Sequence, residues 1–139
     1  MKTAVVYYSY TGKTRELAAK MAEAEQAELL EVRETKRRST FSAYVFGSLA
    51  ARRQKKAKIQ PVGFSLSGYD RILVAVPLWA GFPAPAFQNI LELIPQGKEI
   101  ELTITSGSGN SSGSKEKTLA LAAGRGVKIV KYQDVKTSG

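Results

Sequence analysis

Three short segments of this chain have residue types and spacings suited to holding a ligand, and each follows a short, largely β-branched run. The first is Ser9-Tyr10-Thr11-Gly12-Lys13-Thr14. Its hydroxyls, and the free N–H groups of the helix it opens, form an anion site in which the helix dipole contributes ~0.3–2 kcal/mol. Lys13 adds a charge-assisted contact. The second is Pro77-Leu78-Trp79-Ala80-Gly81-Phe82-Pro83, which carries the chain's single tryptophan. An indole face suits a planar ring, and Gly81 lets backbone approach the ring edge. The third is Thr105-Ser106-Gly107-Ser108-Gly109-Asn110-Ser111-Ser112-Gly113, a run of small residues that brings bare backbone close to a ligand. In an open α/β sheet, loops at the carboxyl ends of the strands meet at one crevice. Three such loops in order point to one flat, phosphorylated cofactor.

Other chemistries are excluded by composition. The chain has no cysteine and no histidine. Disulfides, thiolate nucleophiles and the commonest metal ligand and acid–base group are therefore absent, and the chemistry falls to a cofactor. The Gly-Lys-Thr at 12–14 suggests a nucleotide-binding P-loop, but that motif needs glycine five positions before Gly12, where Tyr7 stands. Asp70, Tyr69 and Tyr8 are the remaining acid groups of interest; no carboxylate pair or triad accompanies them, and Tyr7 and Tyr8 suit a core. Each loop also has a plainer reading. Thr11 can simply cap the helix, Trp79 can fill the core or a dimer surface, and the third segment can be a linker.

The elements that must position these loops alternate. Thr3 to Tyr8 is a near-continuous apolar run, as in a strand buried on both faces. Gly12 to Ala24 is a helix with Leu17, Ala18 and Met21 as its apolar stripe. Ala27 to Val32 is a second strand, followed by a basic loop from Arg33 to Ser39 and a helix from about Thr40 to Lys56. After a connection broken by Pro61, Gly63 and Gly68, Arg71 to Val76 is the clearest buried strand. Pro85 to Ile94 is a helix with Phe87, Ile90, Leu91 and Ile94 inward. Glu99 to Thr105 is a strand, Ser114 to Ala123 a helix and Val127 to Tyr132 the last strand. The order βαβαβαβαβ implies a parallel sheet with right-handed crossovers, and 139 residues suit one domain. A final helix is missing from this pattern. The sheet face beside the first helix is then expected to expose several apolar side chains, each costing ~1.5–3 kcal/mol; either a second subunit, as in a homodimer, or another partner covers it, or the sequence is a piece of a longer chain.

The net charge of +9 is concentrated. Between Arg33 and Lys58 lie nine cations and one anion, Glu34, so this segment alone carries +8. An acidic protein, an anionic substrate or nucleic acid suits such a field. The N-terminus reads as a strand rather than a signal peptide, and the longest apolar stretch, Ile72 to Phe87, is interrupted by three prolines, so a soluble, cytoplasmic protein without a membrane span is expected.

Residues 5–21, VVYYSYTGKTRELAAKM, resemble the flavodoxin signature in the hydrophobic pair, the aromatic, Ser, Gly, Thr and the later Ala. Met21 departs from a branched aliphatic. Pro77-Leu78-Trp79-Ala80-Gly81 is similar to the Pro-Ile-Trp-x-Gly form of short flavodoxin-like proteins, and the resemblance extends in order to about Tyr132. It implies a flavodoxin-like three-layer sandwich with five parallel strands in the order 2-1-3-4-5. It also implies noncovalent binding of flavin mononucleotide (FMN). By that resemblance Ser9, Thr11, Gly12, Lys13 and Thr14 hold the phosphate, and Tyr10 of the same loop is cofactor-binding. Pro77, Leu78, Trp79, Ala80, Gly81 and Phe82 meet the ring, and Thr105, Ser106, Gly107, Gly109 and Asn110 clamp it. Many flavodoxins carry an aromatic residue in the third segment and this chain has none, which leaves one ring face more open. Flavodoxins that carry electrons are typically acidic, unlike this chain. The implied function is electron transfer to a protein partner or small acceptor; the alternatives are a small FMN-dependent reductase of quinones, and a basic binding module for an acidic partner or nucleic acid.

Overall fold

The computed structural model describes residues 1–35 and 56–137. The first strand, β1 (Thr3–Tyr7), is buried along its whole length, as the apolar run requires. Helix α1 (Lys13–Glu25) starts from Gly12 and stops at Gln26, whose left-handed backbone (φ 52°) ends it. Its innermost residues are Thr14, Ala18 and Ala22. The expected Leu17 and Met21 flank this line half-buried, because small side chains let the helix approach the sheet most closely. Then come β2 (Glu28–Glu31), β3 (Arg71–Trp79), a two-residue β4 (Phe82–Pro83), α2 (Ala86–Leu93), β5 (Glu99–Ser106), α3 (Lys115–Gly124) and β6 (Lys128–Lys136). The helix expected from about Thr40 to Lys56 lies outside the described residues apart from Lys56, which is in irregular backbone.

The sheet order is β2-β1-β3-β5-β6, with β4 paired only to β3. All neighbours on the main path are parallel. With β4 set aside, this is the expected five-stranded 2-1-3-4-5 sheet. Alternation along each strand sorts its side chains between two layers. Ala4, Val6, Ile72, Val74, Val76, Ile100, Leu102 and Ile104 face one way, packed with Phe87, Ile90 and Leu91 of α2 and Ala122 of α3. Val5, Tyr7, Leu73 and Ala75 face the other, against Ala18 and Ala22 of α1.

Two expectations need correction. The last strand runs four residues beyond Tyr132, because every residue from Lys131 to Lys136 pairs with β5. Its half-exposed mixture of Lys, Gln, Asp and Val conceals that pairing from a hydrophobicity pattern. No helix follows β6 among the described residues, yet the face beside α1 is not apolar there. Glu101 and Thr103 of β5 and Lys131 and Gln133 of β6 occupy it, in a shallow hollow shared with Met21, Glu25, Arg71 and Leu73. Gln133 donates to the Thr103 hydroxyl at 3.1 Å. Arg71 grips Glu101 at 2.5 and 2.9 Å and Glu25 at 2.6 Å. The described large hydrophobics left exposed are Met1, Leu29 and Val130, of which only Val130 lies on β5 or β6. The apolar patch proposed for a covering subunit is therefore absent from this part of the sheet.

The same ion pair predicts an acid limb of stability. The Arg71 guanidinium holds the Glu101 carboxyl below the usual carboxylate range, against a smaller opposing effect of burial. A carboxyl depressed in the folded state stabilises above its unfolded pKa, and that contribution is lost as pH falls through the folded value. Urea unfolding of Glu101→Gln is expected to show lower stability than the parent at neutral pH and a shallower loss below about pH 4.5.

No helix among the described residues is long and apolar enough to cross a membrane.

Candidate functional site

The three loops leave the carboxyl ends of β1, β3 and β5, so the sheet order places them side by side. In the first, Gly12 takes a left-handed backbone (φ 98°), and its N–H donates to Ser9 Oγ at 3.0 Å. This closes the loop before the first helical bond, from Glu16 N–H to Gly12 O at 3.0 Å. No side chain caps α1, and Thr11 is exposed. The capping reading of Thr11 is thereby corrected: the cap position belongs to Gly12, which has no side chain, and the donor end of α1 faces the loop. Thr14 is drawn inward instead. Its hydroxyl meets that of Thr105 at 2.8 Å, and the two residues are 2% and 3% exposed. Both were expected at the ligand, and the structure uses their hydroxyls to tie the first loop to the third.

The second segment is a tight hairpin, where the sequence pattern predicts a loop. Leu78 pairs with Pro83 and Trp79 with Phe82. The turn between them has positive φ at Ala80 (51°) and Gly81 (87°), the pattern of a type I′ turn. Glycine accepts this freely; Ala80 is held there by the pairing on either side. The hairpin aims Trp79 back toward the first loop. The indole is half-buried against the edge of the larger core layer, so it is partly a core residue and partly a site residue. Tyr8 meets it edge-to-face at 6.0 Å and 73°, and Tyr10 at 5.9 Å and 86°. Lys117 of α3 stands over Phe82, 5.6 Å from the ring centre.

The third segment is a structured turn, not a linker. Gly109 N–H donates to Ser106 Oγ at 2.9 Å, and Ser112 N–H to Asn110 Oδ1 at 2.9 Å. Behind the loop, Thr137 N–H donates to Ser106 O at 2.8 Å. Asp134 of β6 takes Ser111 Oγ at 2.6 Å and Ser111 N–H at 3.1 Å, while Tyr132 shares the Ser111 hydroxyl. Burial and the nearby Asp134 charge push the Tyr132 phenol up, with the Ser111 hydrogen bond opposing them. Gly107 and Asn110 are exposed at the loop's tip.

A cavity of about 460 Å³ opens beside the first loop, on its β2 side. Ser9, Tyr10, Thr11 and Gly12 line it together with Tyr8, Arg15, Glu31, Arg33, Glu34, Thr35 and Gln60; the second and third loops do not. Glu31 sits between Arg15 and Arg33, 2.7 Å from each. Burial pushes the Glu31 carboxyl up, but the two guanidiniums together outweigh it and leave it below the usual range. The Tyr8 hydroxyl donates to Glu34. Sequence reasoning missed Arg15, Glu31, Glu34 and Gln60 in this wall, and Asp134 behind the third loop; Arg33, which follows a strand, is expected on this rim and lies there. A hint was present for Arg15, one residue past the hydroxyl-rich loop. Asp70 and Tyr69 fall at the opposite end of the sheet, where Asp70 takes Lys2 N–H at 2.7 Å and Tyr69 donates to Glu28. They are structural. Among the described residues no His, Cys, Asp and Glu cluster could hold a metal ion.

This architecture has clear counterparts among solved structures. A flavoprotein from Lactobacillus acidophilus NCFM, solved in complex with FMN, is 24% identical with a TM-score of 0.79, covering 94% of this chain and 91% of its own. A candidate flavoprotein from Bacteroides uniformis ATCC 8492 is 25% identical with a TM-score of 0.82, covering 99% and 92%. Oxidised flavodoxin 2 from Bacillus cereus is 16% identical with a TM-score of 0.57, covering 99% and 86%. No protein-family model and no curated protein sequence matches the chain. The fold is that of the flavodoxin-like α/β proteins, as the resemblance in residues 5–21 implied.

Proposed function

We propose that this chain binds FMN noncovalently at the three loops and carries electrons, with an acidic protein as its natural partner. One observation carries the cofactor reading most directly. An uncapped helix start behind Ser9–Thr14 and the half-buried face of Trp79 are brought together by a direct contact between Tyr10 and Trp79. A phosphate and a planar ring on one short linker are what such a pair of features accommodates. The flavoprotein of L. acidophilus, with FMN bound, has the same arrangement of strands and helices over nine-tenths of this chain.

When bound, FMN supplies the one- or two-electron chemistry. The protein's own residues hold and orient it. The amides at the start of α1 and the hydroxyls of Ser9 and Thr11 receive the phosphate, Lys13 adds positive charge, and Trp79 offers its ring face. The backbone of Gly107 and Gly109 stands at the third loop, braced by β6. With a net charge of +9, the chain favours association with anionic surfaces, an attraction that weakens with salt.

Titration of the apoprotein with FMN, riboflavin and FAD tests the cofactor reading. FMN is expected to bind about 10- to 100-fold more tightly than riboflavin, since hydrogen bonds to a charged group contribute about 1.5–3 kcal/mol. A protein that binds none of the three overturns it. Steady NAD(P)H oxidation with a quinone acceptor would replace the carrier by a reductase.

A further inference from the structure

We infer that the outer edge of β6 is a docking strip for an extended acidic segment of a partner protein, which joins the sheet there as a further strand. The inference rests on the acidic partner proposed above and needs no bound flavin.

The sheet order leaves β6 at one end, with β5 on one side and no strand on the other among the described residues. Along a strand, successive residues turn their backbone groups to opposite sides. Thr137 N–H donates to Ser106 O of β5 at 2.8 Å. By that alternation the N–H and C=O groups of Tyr132, Asp134 and Lys136 point away from β5. The register shifts between Ile100 and Glu101, where Val130 is the extra residue, and then runs regularly from Lys131 to Lys136. The strip open to a partner is therefore 131–136, short and regular.

Charge decides which partner fits. Lys131 and Lys136 lie on the strip and are exposed. Lys115 of α3 joins them, its ammonium 5.1 Å from the centre of the Tyr132 ring. None of these three lysines is in an ion pair among the described residues. The neighbouring acids are engaged. Asp134, the single acid of β6, accepts both donors of Ser111, and Glu101 is gripped by Arg71. Lysines and a bulge on an edge strand oppose pairing with a second copy. Two β6 strands side by side would set Lys128, Lys131 and Lys136 of each along one seam, and like charges directly opposite destabilise. A strand bearing carboxylates satisfies the lysines and the open backbone groups together, as in peptide recognition by strand addition. Nucleic acid would engage the lysines alone. The strip also leads to the proposed cofactor site: a Cβ added at Gly109 of the third loop would stand 3.0 Å from Lys136 Cβ.

Amide hydrogen exchange tests the strip, with the whole chain saturated by an end-blocked peptide of about six residues alternating glutamate and valine. Exchange at Tyr132, Asp134 and Lys136 is expected to slow about tenfold, the weight of one backbone hydrogen bond. Gln133 and Val135, whose amides already face β5, should change little. The same peptide methylated on every second nitrogen cannot complete the ladder and should bind about tenfold more weakly. The double variant Lys115→Glu, Lys136→Glu, altered at two exposed positions, should also bind the acidic peptide more weakly, and added salt should weaken binding to the unaltered chain. Three outcomes overturn the inference: no slowing at 132, 134 and 136 in the unaltered chain, equal binding by the methylated peptide, or equal slowing by a single-stranded oligonucleotide. If the peptide binds but protects only amides within 33–58, the strip fails and the acidic partner stands. If the strip is protected in a chain that binds no flavin, the strip stands and the electron-carrier reading fails.

Discussion

Replacing Asp134 by leucine is expected to lower folding stability by about 2–3 kcal/mol and to loosen the third loop, although residue 134 touches none of the proposed ligand positions. The carboxylate accepts two bonds from one buried residue, Ser111 Oγ at 2.6 Å and Ser111 N–H at 3.1 Å. Hydrogen bonds to a charged acceptor contribute about 1.5–3 kcal/mol, and a buried donor left alone costs about 1–3 kcal/mol. Tyr132 can still partner the Ser111 hydroxyl, so the amide bears most of the loss. The rest of the clamp sits nearby. Thr137 N–H holds Ser106 O at 2.8 Å, and a Cβ added at Gly109 would stand 3.0 Å from Lys136 Cβ. The loop is thus pressed against the end of β6 at both sides of its tip. In Asp134→Leu, urea unfolding should shift its midpoint without changing its slope, amides at 106–113 should exchange faster with solvent, and FMN should dissociate faster. Asp134→Asn retains one acceptor and should lose about half as much stability. Unchanged exchange in 106–113 for the leucine variant would show that the internal bonds of the loop suffice and that β6 is not its brace.

Why β6 was only half legible follows from the same contacts. The fold-defining strands β1 and β3 announce themselves because they are buried on both faces, and burial selects residues such as Val and Ile; β5 shows itself by the alternation of Ile100, Leu102 and Ile104. The edge strand β6 faces solvent over most of its length, and its residues from Gln133 onward are selected for what they hold, not for hydrophobicity. The hairpin at Trp79–Phe82 was concealed for another reason. Ala-Gly is a weaker turn signal than Asn-Gly or Asp-Gly, and Ala80 takes a positive φ that its own side chain disfavours. The first loop was legible because its features are local: hydroxyls, glycine and a helix start lie within six residues. The cavity wall was not, because it joins Arg15, Glu31, Arg33 and Gln60 from three separate segments. Only the parallel pairing of β1 with β2 and the bridge between Glu34 and Ile59 bring them together. The polar face of β5 and β6 was legible by alternation alone: Glu101, Thr103, Lys131 and Gln133 fall on one side of the two strands.

Asn89→Ala should destabilise the fold by about 2–5 kcal/mol although it removes no large apolar group. The Asn89 side chain on α2 treats Ala57 as a neighbouring strand would: Ala57 N–H donates to Oδ1 at 2.8 Å, and Nδ2 donates to Ala57 O at 2.8 Å. Both residues are 8% exposed. Truncation leaves a buried backbone donor and a buried acceptor together, each costing about 1–3 kcal/mol when water cannot reach it. Asn89→Asp separates this account from simple loss of packing. It keeps the shape and the bond from Ala57 N–H, but sets a carboxylate oxygen against the Ala57 carbonyl. Its folded-state pKa should rise above the unfolded value, so its deficit is full at neutral pH and shrinks as acid protonates it. A deficit indifferent to pH would refute the pairing. The consequence reaches the site because Ala57 leads directly into 58–60. There Thr35 N–H holds Lys58 O at 2.9 Å and Gln60 N–H holds Arg33 O at 2.8 Å, forming the outer wall of the cavity beside the first loop. Loosening Ala57 should therefore weaken ligand binding on the β2 side of Tyr10 and leave the hairpin of Trp79 intact. Such a variant should keep its Trp79 emission in the absence of ligand while losing affinity for whatever fills the cavity.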